Sequence, residues 1–435
     1  MTEKKGMTRR EFMSRTAKTA AIAAMTTGPA INVLGANDTM QLGLIGYGRR
    51  GSFLMDQTHR MMAKSKKPVE FIGVADIFEG WRDMGKDAAE RVADKCAGYD
   101  HHMKLLENKD IVGVIIATPE HQHAKQMLDA IAAGKHIYAE KPMVHTVEEG
   151  KQVVKAANGS SCIIQVGTHR RSVDLFYEAR DLVKSGAIGE VTFCEGWWHR
   201  NFKPGSKDAA WRYEIPEDAN ENTINWKEFH YTAKPAPFDT GRYFQWRCYE
   251  EYSNGIGSDL MVHQIDAINL VMGTTMPKSV VSSGATYKWK DGRTNPDTWS
   301  SILEYEEGFQ LNYHSRFSNC NEEYGIKICG TLATIVIDRH FIMDVIPEAA
   351  YVLPEGVEVK PLHKQTHQRP VDSHNDAVQK HIENWYDCIL AKKKETNCDV
   401  LTGHYGSAIA HMAVAAYQQK CELVWDKKAE NFKKA

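Results

Sequence analysis

Hydrophobic and polar positions follow two rhythms along the chain. Between residues 40 and 170, short apolar runs ("MQLGLI", "VEFIGVADIF", "DIVGVIIATP", "KHIYAEKPM", "SCIIQVGTHRRS") alternate with amphipathic stretches such as "AKQMLDAIAAG" and "TVEEGKQVVKAANG". Runs too short for a buried helix, each followed by a segment of helical period, predict parallel strands joined by crossover helices. After residue 278 the rhythm changes. "SVVSSGATYKW", "WSSILEYE", "FQLNYHSRF", "YGIKICGT" and "ATIVID" follow one another with turn residues and little helix between them. That pattern predicts an antiparallel sheet. "HIENWYDCILAKKKETNCDVLTGHYGSAIAHMAVAAYQQ" then reads as two helices about a polar loop. The predicted class is α/β, with a doubly wound parallel sheet over 37–160 and an α/β domain with a large, mostly antiparallel sheet over 161–365. Residues 366–435 form a helical tail.

Composition narrows the function. A chain of 435 residues exceeds one compact core, which agrees with two domains. A net charge of −2 without basic runs argues against nucleic acid as a partner. Nine dispersed cysteines with no CxxC pair suggest neither a disulfide framework nor a metal site. Residues 1–36 stand apart. Thr8-Arg9-Arg10-Glu11-Phe12-Met13 resembles a twin-arginine export signal, and a weakly apolar stretch from Thr16 to Ile31 follows it. The expectation is a periplasmic or exported protein that meets the twin-arginine machinery and has no stable membrane anchor. The alternative is a disordered arm on a cytoplasmic enzyme.

Candidate chemistry collects at the strand ends. Gly46-Tyr47-Gly48-Arg49-Arg50-Gly51 follows the first strand and opens a helix. In that setting the glycines serve a tight turn, close approach to a pyrophosphate and close helix packing, and the helix N-terminus offers N–H groups to phosphate. Asp76 ends the second strand, where a carboxylate accepts ribose hydroxyls and repels a 2′-phosphate, so NAD is favoured over NADP. Thr118, Pro119 and His123 in "ATPEHQH", Glu140 and Lys141 in "EKP", and His169 and Arg170 in "GTHRR" fall at the same edge. Lys141 is placed to polarise a substrate oxygen. Asp259 and His263 in "DLMVHQID" are four apart in a segment of helical pattern, which would set both on one face as a proton-handling pair.

Taken in order, the glycine motif with its acidic strand end, "ATPEHQH", "EKP" and "DLMVHQID" resemble the Gfo/Idh/MocA oxidoreductases over nearly all of residues 40–425. The resemblance implies a Rossmann domain followed by an α/β domain with a large, mostly antiparallel sheet, and it is much less specific for a substrate. It also implies that Lys141, Asp259 and His263 surround the reacting carbon, and that the protein is a homodimer or homotetramer. Between 197 and 252 lies an aromatic, arginine-dotted insert, with Trp198, Tyr213, Arg247 and Tyr252 as candidate sugar contacts. An exported protein has no free NAD pool, so the cofactor is expected to be tightly bound and restored within the site. The leading reading is hydride transfer from a sugar hydroxyl, for example C3 of a glycoside. The alternative is glycoside hydrolysis by oxidation and elimination, with Tyr213, His199 or Tyr243 as base. A non-catalytic NAD- or sugar-binding protein is the reading from another class, and the presence of Lys141 and His263 speaks against it.

Overall fold

The computed structural model describes residues 39–203, 205–206, 209–230, 233, 235–365 and 373–435. The export-signal expectation and Tyr231 of the insert lie outside them. The first domain runs β1 (Met40–Ile45), α1 (Arg49–Ser65), β2 (Val69–Ala75), α2 (Glu79–Ala89), β3 (Ala97–Tyr99) and α3 (His102–Leu106). It continues through β4 (Gly113–Ile116), α4 (Glu120–Ala132), β5 (His136–Ala139), α5 (Val147–Asn158) and β6 (Ile164–Val166). The six strands are parallel in the order β3-β2-β1-β4-β5-β6. The order reverses between β1 and β4, and a ligand crevice forms there. β4 and β5 are buried at every position, as strands covered on both faces must be. Because β6 completes this sheet, the domain extends past residue 160.

The second sheet has ten strands. After α6 (Asp174–Lys184) come β7 (Val191–His199), α7 (Trp226–Phe229), α8 (Thr240–Phe244) and α9 (Met261–Met272). Then follow β8 (Ser279–Ala285), β9 (Thr298–Glu304), β10 (Gln310–Arg316), β11 (Tyr324–Gly330), β12 (Ala333–Ile337), β13 (Ile342–Pro347) and β14 (Leu362–Gln365). Each neighbouring pair is antiparallel except β7 with β10. β9, β10 and β12 alternate buried and accessible residues, so one face packs on the core under α9 and the other stays open.

α10 (Ser373–Ala391) and α11 (Val400–Gln419) return to the first domain, where α10 lies on α1 and α11 on α5. Trp385 of α10 is buried against Tyr138 and donates its indole N–H to the Ile163 carbonyl at 3.2 Å. The chain ends as two short antiparallel strands, β15 (Leu423–Asp426) and β16 (Asn431–Lys434), at the edge of the large sheet. Among the described residues no helix is long and apolar enough to cross a membrane.

Candidate active site

β1 passes to α1 through three glycines that no larger residue could replace without movement. Gly46 has φ 88°, and a Cβ on Gly51 would stand 1.9 Å from the Gly46 carbonyl oxygen. The helix therefore starts tight against the strand, with its first N–H groups at the crevice. Asp76, at the end of β2, is buried. It accepts from the N–H groups of Tyr47 at 2.8 Å and Phe78 at 2.9 Å and from the Tyr243 hydroxyl at 3.3 Å. Burial pushes its pKa up to about 6 against those hydrogen bonds.

A cavity of about 430 Å³ occupies the crevice, floored by the glycine turn, Asp76, Thr118, Pro119, Glu140 and Lys141. Its roof comes from the insert: Tyr213 to Glu217, Phe229, Tyr243, Phe244, Trp246 and Arg247. The Arg49 guanidinium lies 4.7 Å over the Tyr213 ring, and Arg50 pairs with Glu140 at 2.7 Å. A bare glycine turn at a helix N-terminus, a carboxylate at the second strand end and an enclosed slot between them fit a dinucleotide.

Sequence reasoning took the insert as a cover for sugar, and the structure corrects this. Most of its rings pack on one another or on the first domain. Phe244 meets Phe78 and Trp81 edge-on at 5.3 and 5.0 Å, and Trp226 stacks on Phe229 at 5.2 Å. Tyr252 is fully buried, with its hydroxyl 3.1 Å from His230 Nε2, so it belongs to the core and not to a substrate site. Trp197, Trp198 and His199 are part of β7 and alternate across the sheet. His199 is held by Arg316 and lies tilted against His314, while Trp198 faces His263. His199 and Tyr243 are thus both away from the reacting centre, and of the three bases considered Tyr213 remains beside it. His123 lines the slot. Its two ring nitrogens sit 2.8 Å from the carbonyls of Pro142 and Thr118, so it ties two strand-end loops together, with no nitrogen left for a cofactor.

At the inner end of the cavity Lys141 Nζ donates to Asp259 Oδ1 and to the Asp259 carbonyl, both at 2.8 Å. Arg247 Nε stands 3.4 Å from the same carboxylate oxygen. Burial would raise the Asp259 pKa, but the Lys141 and Arg247 cations outweigh it and hold the carboxyl well below its usual range. Asp259 is not on the helix with His263. α9 begins at Met261, after a 3-10 turn at Gly255–Gly257 in which Gly255 has φ 61°, and the carboxylate is directed to Lys141 rather than to the imidazole. His263 sits in the first turn of α9. Burial, then the nearby Lys141 ammonium, depress its pKa well below 6.5, so the ring is neutral.

Trp198 lies 5.2 Å from the His263 ring. His169 and Arg170 stand behind it. The His169 ring is 5.7 Å from that of His263, and Arg170 donates to the His263 carbonyl at 3.2 Å and to Gln264 Oε1. Arg170 holds the backbone at His263 and His169 packs on its ring; like His263 itself, neither lines the cavity. Sequence reasoning missed Glu120 and Arg200. Glu120 lay unremarked inside "ATPEHQH", and Arg200 directly follows "WWH". Glu120 is buried near Asp259, and burial followed by that negative charge pushes its pKa up to about 7.

Residues 40–168 match the family profile "Oxidoreductase family, NAD-binding Rossmann fold", and residues 225–423 match its partner, "Oxidoreductase family, C-terminal alpha/beta domain". The chain belongs to the Gfo/Idh/MocA family. Inositol 2-dehydrogenase of Salmonella typhimurium is 28% identical over 160 residues, 36% of this chain and 45% of that protein. Levoglucosan dehydrogenase of Pseudarthrobacter phenanthrenivorans is 25% identical over 247 residues, 56% of this chain and 57% of that protein. The chain thus spans about half the length of these curated relatives. A solved levoglucosan dehydrogenase, in complex with NADH and levoglucosan, is similar in fold, with TM-score 0.66 and 17% identity over 89% of this chain and 99% of that one. The WlbA dehydrogenase of Bordetella pertussis, with NADH and UDP-GlcNAcA, superposes with TM-score 0.67 at 16% identity over 89% and 98%.

Proposed function

We propose that this member of the family is an NAD-dependent oxidoreductase that oxidises a secondary hydroxyl of a carbohydrate. The carrying observation is Lys141 at the inner end of a roofed dinucleotide slot, paired with Asp259 and within electrostatic reach of His263. NAD, when bound, supplies the hydride acceptor. Gly46, Gly48 and Gly51 with the α1 N-terminus would hold its pyrophosphate, and Asp76 its adenosine ribose; a carboxylate there disfavours a 2′-phosphate. Lys141, aimed by Asp259, donates to the substrate oxygen. The neutral His263 imidazole takes the hydroxyl proton as the carbon–hydrogen bond breaks. Arg170 and Trp198 fix that ring. Relatives named as inositol and levoglucosan dehydrogenases support a polyol or sugar as substrate.

The test records the reduced-nicotinamide absorbance band while candidate sugars are titrated in. His263→Asn and Lys141→Met should each lower kcat by roughly 10²-fold or more while NADH affinity stays near the parental value. Parental turnover in either variant removes that residue from the reaction. The twin-arginine motif at Arg9-Arg10 further supports export of the folded protein with its cofactor inside.

A further inference from the structure

Around the reacting centre, positive charge exceeds negative. Asp259 is within electrostatic reach of three cations: Lys141, Arg247 and Arg200. Lys141 and Arg247 are paired with it. Arg200 is not. Its guanidinium lies over the Trp198 indole, 5.4 Å from the ring centre, and makes no hydrogen bond or ion pair with any described residue. It does not line the dinucleotide slot. Burial disfavours its charge, only partly offset by Tyr213 and Asp259, and Arg247 adds repulsion. The Trp198 Nε1–H is buried and also lacks an acceptor.

A guanidinium with no hydrogen-bonded anion and a buried indole N–H with no acceptor are groups that a ligand can satisfy. The unmet groups at Trp198 and Arg200 are donors. A sugar hydroxyl both donates and accepts; a carboxylate only accepts, carries the missing charge and matches the two-pronged guanidinium. We propose that the substrate is an acidic sugar, a hexuronic acid or its glycoside, whose carboxylate is bound by Arg200. Trp198, in contact with both Arg200 and His263, spaces the carboxylate from the carbon that is oxidised. This specificity rests on the carbohydrate oxidoreductase reading above.

The test compares matched pairs on the full-length protein with NAD: methyl glucuronide against methyl glucoside, and methyl galacturonide against methyl galactoside. The expected result is a kcat/KM for one uronide about 10²-fold above that of its neutral partner, the worth of one charge-assisted bidentate pair. Arg200→Met should raise KM for that uronide about 30-fold or more and leave the neutral glycoside within threefold. Arg200→Lys, which keeps the charge and loses the fork, should fall between. NADH titration of both variants should match the parent, which separates a specificity role from damage to the fold. Equal or better use of the neutral sugars, better use of a sugar 6-phosphate, or equal losses on both members of a pair in Arg200→Met would overturn the proposal. Reduction of the cofactor by the neutral sugars alone would leave the oxidoreductase reading standing. Silence with every sugar removes both.

Discussion

Glu120 buries its carboxyl in the first turn of α4, with Oε1 accepting from the Asn254 N–H at 2.8 Å and Oε2 without a partner. Held up to about 7 by burial and by Asp259, it stays protonated well above its ordinary 4.5. A carboxyl whose pKa is higher folded than unfolded stabilises the protein below its unfolded value and loses that contribution as pH rises through the folded one. For Glu120 the window is about pH 4.5 to 7, and the loss is on the order of 3 kcal/mol. Glu120→Gln keeps the Oε1 acceptor and cannot ionise. Its melting temperature should equal the parent's at pH 5 and exceed it by several degrees at pH 8. A constant difference across that range would show that the Glu120 carboxyl does not titrate there. The sequence could name Lys141 and His263 because a strand end and a helix face are local properties. It could not place Asp259, whose i, i+4 relation to His263 holds only for continuous helix. Gly255 at φ 61° and Ser258 at φ −128° break that continuity.

At the scale of elements, the glycine turn was fully legible, because each glycine answers a local steric demand. Gly51→Ala tests that demand. Its Cβ would meet the Gly46 carbonyl at 1.9 Å, so α1 must withdraw from β1 and take the phosphate-facing N–H groups with it. NADH affinity measured by fluorescence titration should fall at least about tenfold, with the protein still folded by circular dichroism. Parental affinity would mean that the turn does not cradle the cofactor. β7 shows where element reasoning fell short. Its period of two sends Trp198 to the helix side of the sheet and Trp197 and His199 to the other, which the grouping of all three as one aromatic cover overlooked. The terminal "NFKK" falls in the predicted helical tail but forms an edge strand. Lys433 and Lys434 suit the edge strand it forms, since exposed lysines are how sheet edges discourage further pairing.

Over the whole molecule, the insert's anchorage is the feature no local pattern could reveal, because it depends on contacts between distant segments. Phe78 and Ile224 form an antiparallel bridge, the Glu79 N–H donates to the Thr223 carbonyl at 3.0 Å, and the Asn225 N–H donates to the Ile77 carbonyl at 2.8 Å. The roof is therefore laced to the first domain beside Asp76, and Tyr213 closes the other side against Arg49. The roof is held at several points, and concerted opening of such contacts is slow compared with loop motion, so a dinucleotide beneath it is expected to exchange slowly. Protein purified without added cofactor should release a near-equimolar amount of NAD or NADH on denaturation. Phe244→Ala removes the ring that wedges between Phe78 and Trp81, and it should speed exchange against added NADH by about tenfold or more. Empty protein that takes up and loses NADH within seconds would refute retention.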